Sequence, residues 1–195
     1  PPRLTLPNLI DIGMKPRWWT AMLGTKRRMF GNIVGHAKGV GDMTALGSWT
    51  AEQFDPTLNW DDVKRIKDEW GGKLILKGIL DPEDAEMAAR SGADALIVSN
   101  HGGRQLDGAI SSIKALAPIV DAVGDRIEVH MDGGIRSGQD VIKAIALGAK
   151  GVYIGRAFTY GLGAMGEAGV TKSLEIIRKE LDMTMALCGL RDIQN

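Results

Sequence analysis

The chain has 195 residues, of which 44% are apolar, and its 24 basic and 24 acidic residues give a formal net charge of zero. This length fits one domain or a large part of one, and the neutral balance argues against a nucleic-acid partner. The single cysteine, Cys188, cannot form an internal disulfide, which is typical of a reducing compartment such as the cytoplasm. The sequence has no signal-peptide pattern and no apolar run of about 18 residues, so we expect no membrane-spanning helix.

Residues 1–55 are rich in glycine and have no clear strand pattern. Between Ile12 and Gly41 this leading segment has Lys and Arg residues but no acidic ones, and they alternate with apolar and aromatic side chains such as Trp18 and Trp19. Two interpretations remain open for it. The segment is either a loop or active-site lid with solvated cations, or a segment that contacts anionic lipid headgroups.

Strand-like and helix-like segments alternate after the leading segment. Asp81-Pro82 is a helix start signal, and Ser137 followed by Asp140 resembles a capping box. The predicted strands are 73–79, 93–98, 126–131 and 151–154. The predicted helices are 60–69, a helix from 81, 110–123, a helix from 137, and helices between 159 and 186.

This alternation predicts an α/β fold with parallel strands, because parallel neighbours need a crossover connection. About four βα units fit either a doubly wound sheet or part of a (β/α)8 TIM barrel. A whole barrel takes about 250 residues, so four units amount to half of one.

The loop after the second strand carries an imidazole and a guanidinium three residues apart, His101 and Arg104. Barrel enzymes have their active sites at the carboxyl ends of the strands. A histidine there is able to take and return a proton near neutral pH, and an arginine is able to bind a carboxylate with two hydrogen bonds. The alternative is an ordinary loop histidine beside a surface arginine.

Glycines and arginines follow the third and fourth predicted strands, in Asp132–Arg136 and Gly155-Arg156. Loops at these places in a barrel often bind phosphate through backbone amides and a helix N-terminus. A generic turn with a surface cation is the alternative. Lys77 lies within an apolar strand, where it either meets an anion or extends to water.

Four motifs of the chain occur together: Leu76–Ile79, Ser99–Asp107, Asp132–Gly138 and Ala146–Arg156. Together they resemble the FMN-dependent α-hydroxy-acid dehydrogenase/oxidase family. The stretch around His101 is highly specific, whereas the glycine–arginine motifs also occur in other FMN- and phosphate-binding barrels. The resemblance covers roughly residues 55–193, and the leading segment more weakly. Within the family it is greatest to bacterial members that oxidise L-lactate.

The resemblance implies a barrel that binds FMN and oxidises an L-2-hydroxy acid, with L-lactate as the expected substrate, to the 2-oxo acid. It implies that His101 accepts the proton, that Arg104 binds the substrate carboxylate and that Lys77 stabilises the reduced flavin. No metal ion is expected. The implied FMN contacts are Lys77, Ser99, Asp132, Gly133, Gly134, Arg136, Gly155 and Arg156.

The resemblance also implies a missing part, because the family's first four strands have no counterpart in this chain. We therefore interpret residues 56–195 as the C-terminal half of an FMN-binding TIM barrel, and residues 1–55 as the loop, lid or membrane-contacting segment after strand four. The implied partners are the N-terminal half barrel, an anionic membrane surface, a quinone acceptor and further copies in a tetramer. The expected location is the cytoplasm, at the inner face of the cell membrane. We expect the chain alone to bind FMN poorly and to be inactive.

Two other functions remain open at this point. One is a different FMN- or phosphate-binding barrel enzyme, although such enzymes need a catalytic cysteine loop or a different base, and Cys188 lies far along a C-terminal helix. The other is a non-catalytic half barrel that acts as a scaffold. The sequence does not distinguish such a scaffold from half of an enzyme, because all the catalytic and cofactor-binding residues implied for this half are present.

Overall fold

The computed structural model describes residues 5–25, 30–33, 35–36 and 43–193 of the chain. These residues divide into two compact units, with the boundary between Leu58 and Asn59. The helices of the first unit are α1 (Leu6–Gly13), α2 (Pro16–Gly24) and α3 (Met43–Glu52). The second unit comprises α4 (Trp60–Trp70), β1 (Ile75–Ile79), α5 (Pro82–Arg90), β2 (Ala95–Val98), α6 (Ser112–Val123), β3 (Glu128–Asp132), α7 (Gly138–Ala146), β4 (Gly151–Tyr153), α8 (Arg156–Met165) and α9 (Glu167–Leu187).

The four strands of the second unit form one parallel sheet in the order β1-β2-β3-β4. The register places Leu96 beside both Leu76 and Val129. Each strand pairs with the next strand along the chain after a helical crossover, which is the arrangement of a (β/α)8 barrel. The predicted α/β fold with about four barrel units is confirmed, and the strand order does not show the reversal of a doubly wound sheet.

One face of the sheet forms the core with the helices that follow the strands. Leu96, Val98, Val129 and Met131 on this face are at most 1% exposed, and they belong to one cluster with buried residues of α5, α6 and α7. Burying a side chain of this kind contributes about 1.5–3 kcal/mol. This face holds the strands in register and therefore fixes where each strand ends.

The opposite face of the sheet is partly open, although Ala95 and Ile97 of β2 are buried there. It exposes Ile75 of β1, Glu128 of β3 and Tyr153 of β4. Nε2 of His130 on the same face lies 3.0 Å from the carboxylate oxygen Oε2 of Glu128, and the imidazole lies beside the Tyr153 ring. In a closed barrel this face is the interior and is filled by side chains from all strands.

The helix start signals act as the sequence indicates. The side chain of Asp81 accepts a hydrogen bond from the backbone N–H of Glu83 at the start of α5. Ser137 and Asp140 form a reciprocal capping box at the start of α7. Helix α8 begins three residues before the predicted position, because Gly155 already ends the extended backbone after β4 and serves as the N-terminal cap.

The first unit contains helices where the sequence analysis assigned no element. Proline lies in the first turn of both α1 and α2, where its missing N–H costs nothing. No helix of the described residues has the length and apolar character needed to cross a bilayer. The cations at residues 26–28 and 38 lie outside the described residues. The exposed apolar side chains of α1 and α2, with the adjoining Met14, are Leu6, Leu9, Ile10, Met14, Trp18, Trp19, Met22 and Leu23.

Candidate active site

The carboxyl ends of the four strands meet at one edge of the sheet, and a cavity of about 580 Å³ lies there. Nine of the ten predicted site residues line it, so the fold brings together groups that are up to 79 positions apart in the chain. The tenth, Ser99, is fully buried and does not line the cavity. The nine are Lys77, His101, Arg104, Asp132, Gly133, Gly134, Arg136, Gly155 and Arg156.

Lys77 forms an ion pair with Asp132, which is the first of the two alternatives that its place in an apolar strand allows. Its Nζ lies 3.0 Å from Oδ2 of Asp132 at the end of β3 and donates a hydrogen bond of 2.9 Å to Oγ of Ser99. The Lys77 side chain is still 43% exposed towards the cavity. Ser99 and Asp132 therefore orient an ammonium group that remains available to a ligand.

The second carboxylate oxygen of Asp132, Oδ1, is buried and has no hydrogen-bond partner among the described residues. A buried acceptor without a donor costs about 1–3 kcal/mol. A ligand hydroxyl group at this place supplies the missing donor. The ribityl chain of FMN carries such hydroxyl groups, so this oxygen fits the cofactor that the motifs imply.

The backbone of His101 adopts a left-handed conformation, with φ 55°, which is uncommon for a residue with a side chain. Two neighbouring side chains stabilise this turn. The N–H of His101 donates to Oγ of Ser99 at 3.1 Å, and the N–H of Gly102 donates to Oδ1 of Asn100 at 3.0 Å. The imidazole is consequently exposed at the cavity and is not packed into the core.

Arg104 lines the same cavity as His101 and is exposed. Its guanidinium forms no ion pair with any described residue. Asp107 is an obvious partner by sequence, but its carboxylate accepts a hydrogen bond from the N–H of Gly108 instead. An arginine in this position is able to bind a carboxylate in two parallel hydrogen bonds.

Two arginines and the start of α8 form the far end of the cavity. Gly133 and Gly134 both have positive φ values, 87° and 85°, which lets the backbone after β3 turn towards the cavity. Gly155 caps α8, so the first backbone N–H groups of that helix are available to an anion. Together with the guanidinium groups of Arg136 and Arg156, these donors fit a phosphate group.

Contacts that the sequence does not predict connect these parts. Arg156 Nη2 donates a hydrogen bond of 3.0 Å to the carbonyl oxygen of Gly102, which ties α8 to the loop of His101. The backbone N–H of Asn100 donates to Oγ of the buried Ser112, at 3.2 Å. The only sequence signal for Asn100 and Ser112 is their place between a strand and a helix, where such side chains often bond to backbone groups.

No group of His, Cys, Asp and Glu side chains within the described ranges is arranged to bind a metal ion. The charged groups at the cavity are instead suited to organic anions, since cations of β1 and of the segments after β2, β3 and β4 converge there.

Comparison with known proteins matches the whole chain, residues 1–195, to the family model of the FMN-dependent dehydrogenases. The L-lactate dehydrogenase of Caulobacter vibrioides is 51% identical over 197 residues, which cover 98% of this chain and 50% of that protein. The L-lactate dehydrogenase of Allorhizobium ampelinum is 46% identical over 194 residues, or 98% of this chain and 51% of that protein. The chain thus spans about half the length of these relatives.

Solved structures agree with this match. The crystal structure of the monotopic membrane protein (S)-mandelate dehydrogenase superposes with a TM-score of 0.90 at 36% identity, over 99% of this chain and 51% of that one. Mandelate oxidase with (S)-4-hydroxymandelic acid gives a TM-score of 0.71 at 45% identity, over 76% of this chain and 42% of that one. On the family match and on the identity to these relatives, the chain belongs to the FMN-dependent dehydrogenase family.

Proposed function

We propose that this chain supplies the C-terminal half of an FMN-dependent dehydrogenase that oxidises L-lactate to the corresponding 2-oxo acid. The observation that carries the proposal is one cavity in which an imidazole, an unpaired guanidinium and an oriented ammonium group lie together at the strand ends. The relatives named L-lactate dehydrogenase favour L-lactate over other 2-hydroxy acids.

The proposed cofactor is FMN, which when bound would take up the two electrons removed from the substrate together with one of the two protons, while the other proton goes to His101. Asp132 binds the hydroxyl groups of its ribityl chain, and the α8 N-terminus with the arginines binds its phosphate. Lys77 would stabilise negative charge on the flavin ring, while Ser99 orients Lys77. The proposed FMN contacts are Lys77, Asp132, Gly133, Gly134, Arg136, Gly155 and Arg156. Ser99, which the motifs also imply as a contact, is fully buried and acts through Lys77.

In the proposed reaction Arg104 binds the substrate carboxylate in two hydrogen bonds and so fixes the orientation of the C2 carbon. A ring nitrogen of His101 accepts the proton that leaves the substrate and later returns it to water. The turn with the positive φ of His101 places this side chain at the cavity. The order of proton and electron transfer does not change the roles of these residues.

The proposed partner of the open sheet face is the N-terminal half of the same barrel. That face exposes Ile75, Glu128 and Tyr153, and the relatives are about twice as long as this chain. We therefore expect the chain alone to bind FMN weakly and not to turn over substrate. Tight FMN binding by the chain alone, with loss of the flavin absorption band on addition of L-lactate, contradicts this expectation.

We also propose that the first unit binds an anionic membrane surface at the inner face of the cell membrane, where a quinone accepts the electrons. Two observations support this. The apolar side chains of α1 and α2 are exposed, among them Trp18 and Trp19, and the solved structure that matches 99% of the chain is of a monotopic membrane protein. Such helices lie in the interfacial region of a bilayer without crossing it.

The function is tested in a completed enzyme, in which this chain replaces the matching segment of the Caulobacter vibrioides relative. L-Lactate should remove the absorption band of oxidised flavin. His101→Asn should lower kcat by about 10²–10⁴-fold because a positioned base is lost. Arg104→Lys should lower kcat/KM by about 10–100-fold because one charge-assisted hydrogen bond is lost.

Matched controls are His36→Asn and Arg178→Lys, which change exposed residues outside the cavity. Both should leave kcat and KM unchanged. Undiminished turnover of L-lactate by His101→Asn overturns the proposed function.

Membrane contact is tested by co-sedimentation of the same enzyme with vesicles with and without anionic lipid. Replacing both Trp18 and Trp19 by Ala should lower binding, whereas Trp70→Ala, which removes an exposed tryptophan of the second unit, should not. Equal, weak binding to both kinds of vesicle contradicts the membrane proposal.

A further inference from the structure

The ring of His101 lies directly against the backbone of Gly78 in β1. A Cβ atom added at Gly78 would lie 2.8 Å from Cε1 of His101 and 3.6 and 3.8 Å from the two ring nitrogens. Ordinary contacts of a Cβ atom start near 3.4 Å. Any side chain at position 78 therefore has to displace the ring or the strand by about 0.6 Å or more.

An irregularity in β1 gives Gly78 this position. The register between β1 and β2 shifts between Lys77 and Ile79, so that Gly78 has no partner residue in β2. Its φ of 106° is accessible to glycine and strained for residues with a side chain. The strand thus presents bare backbone to the ring of His101 at the residue next to Lys77.

His101 is constrained from the other side as well. Its positive φ is stabilised by hydrogen bonds to the side chains of Ser99 and Asn100, so the backbone cannot easily follow a displaced ring. The ring therefore lies between a fixed turn and a bare strand, and the backbone of Gly78 limits how closely the ring approaches β1.

We propose that Gly78 is a positioning residue for His101, because the lack of a side chain at Gly78 sets the place of the imidazole in the active site. This inference rests on the proposed role of His101 as the proton acceptor. Gly78 does not contact the substrate and acts only through the position of the His101 ring. Its substitution should impair proton transfer more than substrate or FMN binding.

The test compares Gly78→Ala with Gly92→Ala and His101→Asn in the completed enzyme. Gly92 is a fair control, because it also has a positive φ, 84°, while its added Cβ would make only an ordinary contact of 3.6 Å with Lys67. A displacement of about 1 Å at a reacting group costs up to about 100-fold in rate. We expect Gly78→Ala to lower kcat at least about tenfold, with KM and the FMN dissociation constant changed less than about threefold.

A second measurement reports on the ring itself. With histidine labelled with ¹³C at Cε1, the signal of His101 is identified by its loss in His101→Asn. We expect this signal to shift in Gly78→Ala and to stay unchanged in Gly92→Ala. A merely structural role of Gly78 would lower stability without moving this signal selectively.

The outcomes separate this inference from the proposed function. Full activity of His101→Asn overturns the proposed function. An inactive His101→Asn together with normal kcat and an unmoved Cε1 signal in Gly78→Ala overturns the inference about Gly78. If Gly78→Ala does not fold, the test is made on the unsubstituted enzyme. A nuclear Overhauser effect between Hε1 of His101 and the Hα protons of Gly78 supports the inference. The absence of this effect overturns the inference.

Discussion

Helices α8 and α9 contact each other backbone to backbone. Because of this contact, we expect that a single methyl group added at Gly169 lowers the stability of the protein strongly. A Cβ atom added at Gly169 of α9 would lie 2.5 Å from the carbonyl carbon of Gly161 in α8. Both sides of the contact are main chain, so no side chain is able to rotate away. The carbonyl oxygen of Gly161 lies closer still to the added Cβ atom, so the two helices have to separate locally by more than 0.9 Å to restore ordinary contacts of 3.4 Å.

The energetic consequence of Gly169→Ala follows from this geometry. Overpacking of this kind typically costs about 1–3 kcal/mol, and the higher helix propensity of alanine returns at most about 1 kcal/mol. The site is affected too, since α8 begins at Arg156, whose Nη2 donates to the carbonyl oxygen of Gly102. We expect lower stability together with weaker FMN binding.

The assay is urea unfolding of the completed enzyme, with FMN affinity measured by flavin fluorescence. Gly163→Ala on the same helix α8 is the matched control, because its added Cβ meets no atom within 4 Å. This control should be neutral or should stabilise by up to about 1 kcal/mol. Equal unfolding free energies and equal FMN affinities for the two variants would refute the packing argument.

Two further predictions concern an ion pair and a loop. Hydrogen bonds from Lys67 and Lys73 hold the pKa of Asp94 well below its usual range. In the unfolded chain this pKa is about 4. The ion pair therefore stabilises the folded state fully above about pH 4, and this stabilisation is lost as the pH falls further. Asp94→Asn should flatten this acid dependence in urea unfolding from pH 6 to 3, and parallel curves would contradict it. Asn100→Ala removes the acceptor for the N–H of Gly102, at a cost of about 1 kcal/mol. Hydrogen exchange of the Gly102 amide should therefore be about fivefold faster. Unchanged exchange at this amide would contradict the role of Asn100 in holding the loop.

The elements of the second unit were predictable because their signals are local. Asp81 and Ser137 cap the helices that they precede, and alternating strands and helices imply parallel pairing whatever the rest of the chain does. The sequence-based prediction placed the start of α8 three residues too late. The N-terminal cap of this helix is Gly155, which has no polar side chain, so no capping pattern in the sequence marks the start. The helices of the first unit were missed because glycines and prolines interrupt this segment, so that each helical apolar pattern, such as Leu6, Leu9 and Ile10 of α1, is short.

The sequence by itself determined the chemistry of this protein: which cations, which imidazole and which glycine-rich turns follow the strands, and thus the family that they resemble. Only the tertiary structure decided how these groups meet. The ion pair of Lys77 with Asp132 joins residues of strands that are not adjacent in the sheet, and the close approach of His101 to Gly78 depends on an irregular register between β1 and β2. Contacts of this kind arise from the packing of distant segments, and a side chain's position against a distant backbone leaves no periodic or local signal in the chain.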